Sequence, residues 1–199
     1  MNTAIARATA QAILALSLLP LAGCGAVAIE GATVAVDKAT VWRNIDEARA
    51  GDADAQYAVG NALCCSGDVP DGMLYSTTEA LDWLCVAAGQ GNADAMVKLA
   101  KVFEGDQIDG LRLLRRVAEA PFTTPANPAA AHYWYGRAAH AGVTEAGDTA
   151  ADLHRDMTPA ERMAAAQYAM APAPPCNWTD LVTPVSARNA GSPTAEQAQ

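Results

Sequence analysis

Isoleucine, valine and aromatic residues are scarce in this chain, and aromatic side chains make up only 6% of its 199 residues. These residues favour β-strands, so their scarcity argues against a sheet-based fold. Alanine, the best helix former, occurs 47 times. The composition therefore predicts an all-α protein whose helices pack closely through small side chains.

Positive charge is also in short supply. The chain has 13 Lys and Arg against 22 Asp and Glu, which gives a formal net charge of −9. Phosphate backbones and anionic membrane surfaces repel such a chain. We therefore expect no nucleic-acid partner.

The usual catalytic and metal-binding motifs are missing. The sequence contains no Gly-x-Ser-x-Gly, Ser-x-x-Lys, His-Glu-x-x-His, P-loop or Cys-x-x-Cys. Its three histidines are His132, His140 and His154, and the first two lie about 12 Å apart on one predicted helix. We expect ordinary surface histidines, no catalytic residues, no metal and no cofactor.

One apolar run stands at the N-terminus. It follows the basic residue Arg7 and has about 15 apolar or weakly polar residues, fewer than the roughly 20 of a membrane span. A basic start, a short apolar run and small residues are typical of a secretory signal peptide. The alternative, a buried core helix, is disfavoured because Pro20 and Gly23 interrupt the pattern.

The run ends in Leu21-Ala22-Gly23-Cys24, which resembles the lipobox of bacterial lipoproteins. The resemblance implies that residues 1–23 are removed, that Cys24 receives a thioether-linked diacylglycerol, and that its amine is acylated in a palmitate-type modification. Gly25 after the cysteine favours, by the same analogy, the outer membrane, facing the periplasm. The alternative is an ordinary signal peptide followed by a disulfide cysteine.

The segment after the lipobox has no clear periodicity. We interpret residues 24–40 as a tether with room for one short strand. A helical pattern starts at Val41 and continues to about Ala169.

The helical region repeats itself. Residues 80–105 match residues 131–156 at an offset of 51, and a third, degenerate copy precedes them at an offset of 40. The matched positions include Trp83 with Trp134, Gly51 with Gly91 and Gly142, and Ala55 with Ala95 and Ala146, while Trp42 stands one place early.

Each unit reads as helix, turn, helix. Gly91 lies between two predicted helices, where a left-handed C-terminal cap requires a residue without a Cβ atom. Asn92 is a candidate N-cap for the next helix. Further on, Thr158 and Glu161 have the spacing of a capping box around Pro159.

The pattern Ala-x-x-Trp-x-x-x-Ala-Ala-x-x-Gly-x-x-x-Ala-x-x-x-Leu resembles the Sel-one-like repeat, a relative of the tetratricopeptide repeat. The resemblance covers about residues 41–170. It implies a short α/α superhelix, or solenoid, of about three antiparallel helix pairs closed by a C-terminal capping helix. Ala100 departs from the repeat, which usually has Gly there. We expect residues 171–199, a Pro-rich tail, to be mostly extended or disordered.

Besides Cys24, the chain has four cysteines: Cys64, Cys65, Cys85 and Cys176. An even number in an oxidising compartment suggests two disulfides, with three possible connectivities. Because vicinal cysteines rarely pair and the repeat places its two helices in contact, we expect Cys64 or Cys65 to pair with Cys85, and the other with Cys176. Buried free thiols are the alternative.

Tetratricopeptide-like arrays bind polypeptides along a concave face. Carried over by register, the resemblance predicts a groove whose lining is mainly acidic with one aromatic ring, suited to a partner segment that carries Lys or Arg. The candidate residues are Asp54, Tyr57 and Asn61 in the first unit, Asp94, Val97 and Lys101 in the second, and Glu145, Asp148 and Asp152 in the third. The alternative is that these are merely solvated helix faces.

Two classes of function follow from these features. The first is a non-enzymatic, lipid-anchored scaffold that engages an envelope protein or peptide through its helical repeats. The second is an envelope hydrolase, because some cysteine-rich relatives of the repeat family are linked to β-lactam binding or cleavage. The missing catalytic motifs favour the scaffold.

Overall fold

The structure is a computed structural model that describes residues 31–65, 75–105, 126–177 and 179–180. All regular secondary structure within these ranges is helical, which confirms the predicted all-α class. The predicted signal peptide and Cys24 lie outside the described residues. The helices are α1 (31–49), α2 (Ala53–Leu63), α3 (Thr77–Gly89), α4 (Ala93–Glu104), α5 (Pro128–His140), α6 (Thr144–Asp156) and α7 (Pro159–Met170).

The first helix reaches further toward the N-terminus than the sequence suggested. Residues 31–40 are helical and continuous with 41–49, so the expected tether or strand is wrong for this part of the chain. Asp37 is buried in α1 and accepts a hydrogen bond of 2.7 Å from the Tyr75 hydroxyl. This contact fixes α1 to the residues just before α3 and makes the segment part of the fold.

One turn geometry occurs three times, between α1 and α2, α3 and α4, and α5 and α6. Each turn has a glycine with φ near 100°: Gly51 at 101°, Gly91 at 96° and Gly142 at 103°. In the middle turn the Gly91 N–H donates to the Ala88 carbonyl and the Asn92 N–H donates to the Ala87 carbonyl, at 3.0 and 3.1 Å. This is the Schellman motif, in which glycine avoids a Cβ penalty. The predicted glycine cap at Gly91 is therefore confirmed.

Side-chain caps begin most of these helices. Asn92 accepts from the Ala95 N–H at 2.8 Å, as predicted, and Asp52 caps α2 in the same way. The predicted capping box of Thr158 and Glu161 is present at the start of α7. Each cap satisfies backbone donors that the first helical turn leaves without a partner.

Small residues let the helices approach closely. A Cβ atom on Gly60 of α2 would lie 2.8 Å from Leu84 Cγ and 3.1 Å from the Leu84 backbone nitrogen on α3. The alanines at the matched repeat positions Ala55, Ala95 and Ala146 are all buried. The predicted close packing through small side chains is therefore what the structure shows.

Neighbouring helices in the chain also pack together in space. Helix α2 packs on α3, α3 on α4, α4 on α5, and α5 on both α6 and α7. The largest buried side chains, Phe103 of α4 and Trp134 of α5, lie in the resulting core. The α4–α5 contact therefore joins the helices before it to α6 and α7.

The segment after α7 returns to the helical body. The Trp134 Nε1–H donates to the Pro175 carbonyl at 2.7 Å, and Asn127 Nδ2 donates to the Asp180 carbonyl at 2.6 Å. Asp180 in turn accepts from the Cys176 N–H at 2.8 Å. Residues 171–177 are therefore held against the helices without regular secondary structure, while residues 181–199 lie outside the described ranges, so the expectation for the tail as a whole stays a prediction.

Candidate functional site

The cysteines form two disulfides, but not in the expected pairing. Cys85 of α3 is bonded to Cys176 of the tail, with 5.7 Å between their Cα atoms, and Cys64 is bonded to Cys65. Leu84 of α3 faces α2 at Gly60, so the next side chain, Cys85, is turned about 100° away from α2. The tail supplies its partner instead, because Trp134 holds the adjacent Pro175.

The first two groups of predicted groove residues lie side by side. Helices α2 and α4 contact each other, and the Asn92 side chain donates from Nδ2 to Asp54 Oδ1 at 2.7 Å. Since Asn92 caps α4 and Asp54 lies in the first turn of α2, this bond joins the starts of the two helices. The register inferred from the repeats therefore places the two groups next to each other.

These residues combine exposed acids with half-buried apolar groups. Asp54 and Asp94 are exposed, whereas Tyr57 and Val97 are partly buried and pack against the core. Asn61 and Lys101 are also partly buried. We call this set of six residues, Asp54, Tyr57, Asn61, Asp94, Val97 and Lys101, the α2–α4 face.

The third predicted group does not share this arrangement. Glu145, Asp148 and Asp152 are exposed on α6, whose principal neighbour is α5. Asp152 forms an ion pair of 2.6 Å with Arg155 of the same helix. This group has the character of a solvated helix face, which was the alternative considered from the sequence.

The buried side chain of Gln56, which the sequence pattern did not reveal, forms two hydrogen bonds next to the α2–α4 face. Gln56 of α2 is buried, and its Nε2 donates to the Ala48 carbonyl of α1 at 3.0 Å. Its Oε1 accepts from Gln90 Nε2 at 2.6 Å. Gln56 therefore ties α2 both to α1 and to the α3–α4 turn, which holds the neighbouring face in position.

Two of the histidines meet across α5 and α6. The His132 and His154 ring centroids are 5.1 Å apart at a 44° tilt, a contact that their 22-residue separation did not suggest. Burial, and then the positive charge of His154, lower the pKa of His132 below its ordinary value. His140 is exposed, as expected for a surface histidine.

Metal ligands and membrane spans were also sought in the described part of the chain. Residues 31–65, 75–105 and 126–177 bring together no group of three or more His, Cys, Asp or Glu that could hold a metal ion. No helix in these ranges has both the length and the apolar character needed to cross a bilayer.

Comparison with protein-family models, with curated proteins and with solved structures finds no match to this chain. The functional argument therefore depends on the residues and contacts described above.

Proposed function

We propose that this protein is a lipid-anchored component of the bacterial cell envelope that acts as a non-enzymatic scaffold for another polypeptide. In this proposal the acyl chains on Cys24 hold it to the outer membrane, facing the periplasm. The lipobox-like sequence at Leu21 to Cys24 supports the anchor. The two disulfides support an oxidising compartment, because disulfides persist there.

The repeated turn supports an α/α superhelix. The glycines of the three Schellman turns, Gly51, Gly91 and Gly142, occupy the matched positions of the sequence repeat. Such a unit cannot bury its apolar face alone, so units stack on each other. In this arrangement α7, which packs on α5, is the capping helix.

The hydrogen bond between Asn92 and Asp54 is the observation that carries the binding proposal. It aligns α2 with α4, so that the exposed carboxylates of Asp54 and Asp94 flank the partly buried Tyr57 and Val97. Carboxylates attract and orient basic groups, and a tyrosine ring contributes strongly to contact energy. The partner is therefore an envelope protein or peptide segment with Lys or Arg beside apolar side chains.

A charge reversal tests the binding face. The full-length protein with Tyr57→Ala and Asp94→Lys should lose the polypeptides that crosslink to the wild-type protein in intact envelopes, as measured by affinity purification and mass spectrometry. Asp82→Lys is the matched control, because Asp82 is exposed on α3 outside the α2–α4 face. Equal recovery of every partner by the double variant, with unchanged helicity by circular dichroism, would show that the face does not bind.

The anchor has its own test. Cells that express Cys24→Ser should yield protein without bound lipid, whereas the wild-type protein should incorporate a labelled fatty acid. Incorporation that is the same in both proteins, or absent from both, contradicts the anchor at Cys24.

A further inference from the structure

Helix α1 presents an apolar strip to the exterior. Five exposed residues follow each other along α1 at spacings of one or three positions: Ala32, Ala35, Val36, Ala39 and Trp42. Residues with these spacings share one side of a helix. Val36 is 61% exposed and Trp42 is 82% exposed, which is far from the usual burial of such side chains.

The outward position of Trp42 contrasts with the burial of its counterpart in the third unit. Trp42 stands one residue before the position that Trp83 and Trp134 occupy in the other units. Trp134 is 1% exposed in the core, whereas Trp42 and Arg43, which occupies the matched position in α1, are both exposed.

The exposed charges within the length of the strip are basic, whereas acidic residues follow at its C-terminal end, where Asp46 lies one helical turn after Trp42. Within residues 31–43, the exposed charged side chains are Lys38 and Arg43. Asp37 is buried and hydrogen-bonded to Tyr75, and the first exposed acid of α1 is Asp46. The Arg43 Nε donates to the Ala39 carbonyl at 3.0 Å, which holds the guanidinium beside the strip.

The proposed lipid site is close to the strip along the chain. Six residues separate Cys24 from Gly31, the first described residue of α1. Even a fully extended linker of that length spans no more than about 25 Å. An acyl anchor at Cys24 would therefore keep the strip within a short distance of the bilayer surface.

We infer that the exposed strip of α1, formed by Ala32, Ala35, Val36, Ala39 and Trp42, docks in the interfacial layer of a phospholipid bilayer. The inference rests on the proposed anchor at Cys24. Trp42 lies at the headgroup level, where an amphipathic ring is favoured, while Lys38 and Arg43 contact lipid phosphates. Membrane contact accounts for an exposed apolar strip that lies within reach of the proposed lipid anchor.

Docking has a consequence for the repeats. Because Asp37 connects α1 to the start of α3 and Gln56 connects α1 to α2, α1 is part of the folded body. A membrane-docked α1 therefore sets the orientation of the α2–α4 face relative to the bilayer. An acyl anchor at Cys24 alone does not set this orientation.

Fluorescence quenching tests the docking. The full-length protein is purified from bacterial membranes and reconstituted into phosphatidylethanolamine and phosphatidylglycerol vesicles with brominated acyl chains, which quench nearby tryptophan. The chain has four Trp, so the contribution of Trp42 is obtained from the difference between wild type and Trp42→Phe. Trp83→Phe is the matched control. We expect brominated lipid to quench wild type and Trp83→Phe, and this quenching to be lost in Trp42→Phe.

A second pair of variants tests the strip without changing a tryptophan. Ala39→Glu places a carboxylate in the middle of the strip, and Ala151→Glu makes the same change at an exposed position of α6. Both retain good helix formers at exposed sites, so folding is preserved. Ala39→Glu should lose the quenching by brominated lipid and become open to aqueous iodide, while Ala151→Glu should match the wild type.

The outcomes separate this inference from the proposed anchor, because mass spectrometry reports the acylation of Cys24 in the same samples. Lipid quenching of Trp42 in a chain without acylation supports the docking and overturns the anchor. Iodide quenching of Trp42 in an acylated, vesicle-bound chain overturns the docking and keeps the anchor. A Trp42 shielded from both quenchers is covered by protein, which also overturns the docking.

Discussion

The first helix pair, α1 and α2, and the third, α5 and α6, have the same turn geometry. They differ in which parts of the chain pack around them. Trp42 of α1 is 82% exposed, whereas Trp134 of α5 is 1% exposed and donates to the Pro175 carbonyl. In the third pair, α7 and the tail cover α5. The comparison shows that the repeat determines the backbone of each pair, while segments outside the repeat decide which side chains become core.

The largest effect should come from removing the buried ring. Trp134→Ala should lower the free energy of unfolding by about 3–5 kcal/mol, because it leaves a cavity and an unpaired Pro175 carbonyl. Trp42→Ala is the matched control and should cost less than about 0.5 kcal/mol away from membranes. Urea unfolding followed by circular dichroism measures both values, and equal losses would remove the contrast between the two pairs.

The tail disulfide should come next. Cys85 and Cys176 are 91 residues apart, so their bond closes a long loop in the unfolded chain. Cys176→Ser should lower the free energy of unfolding by about 2–4 kcal/mol under oxidising conditions. Under reducing conditions the wild-type protein should unfold at the same urea concentration as the variant. A variant as stable as oxidised wild type would show that the tail does not hold α3 and α5 together.

Two glycine-to-alanine substitutions test how closely a helix of the first pair and a helix of the third pair approach their neighbours. Gly60→Ala places a Cβ 3.1 Å from the Leu84 backbone nitrogen, so α2 and α3 must shift apart. We expect a loss of about 1–3 kcal/mol. Gly136→Ala in α5 meets no atom within 4 Å and should stabilise its helix by about 0.5–1 kcal/mol. Thermal unfolding of the two variants should therefore shift in opposite directions, and shifts of the same sign would contradict the close approach at Gly60.

The smallest expected effect is a pH dependence of protein stability that arises from His132 in the third helix pair. Burial, followed by the charge of His154, lowers the pKa of His132, so the unfolded chain binds a proton at a higher pH than the folded chain does. Stability should be fully present above about pH 6.5 and should decline as the pH falls through that value toward the folded pKa. His132→Gln should flatten this decline in melting temperature between about pH 7.5 and pH 5. If the melting temperature of His132→Gln declines by the same amount, titratable groups other than His132 cause the pH dependence.

Features with a local signal could be predicted from the sequence. The glycine turn at Gly91, the Asn92 cap and the capping box at Thr158 each depend on a few neighbouring residues, and the structure confirms them. The register of the repeats also placed Asp54 and Asp94 on adjacent helices. The superhelical stack and the binding role of this face stay predictions.

Features that depend on distant segments could not be predicted in this way. No local pattern distinguishes Cys176 as the partner of Cys85, because the tail reaches α3 only after α7 has positioned it. The contact between His132 and His154 similarly depends on how α6 packs on α5. The helical residues 31–40 and the order of residues 171–177 could not be predicted for the same reason, since contacts with distant segments, at Asp37 and Pro175, hold them in place.

Site-specific photocrosslinking in intact cells tests the scaffold claim most directly. A photoreactive amino acid at Val97, on the α2–α4 face, is compared with the same group at Val86, which is 51% exposed on α3. The account predicts a discrete polypeptide adduct from position 97 that Tyr57→Ala weakens, and no such adduct from position 86. No adduct from position 97, or the same adducts from both positions, would contradict a scaffold that binds through this face.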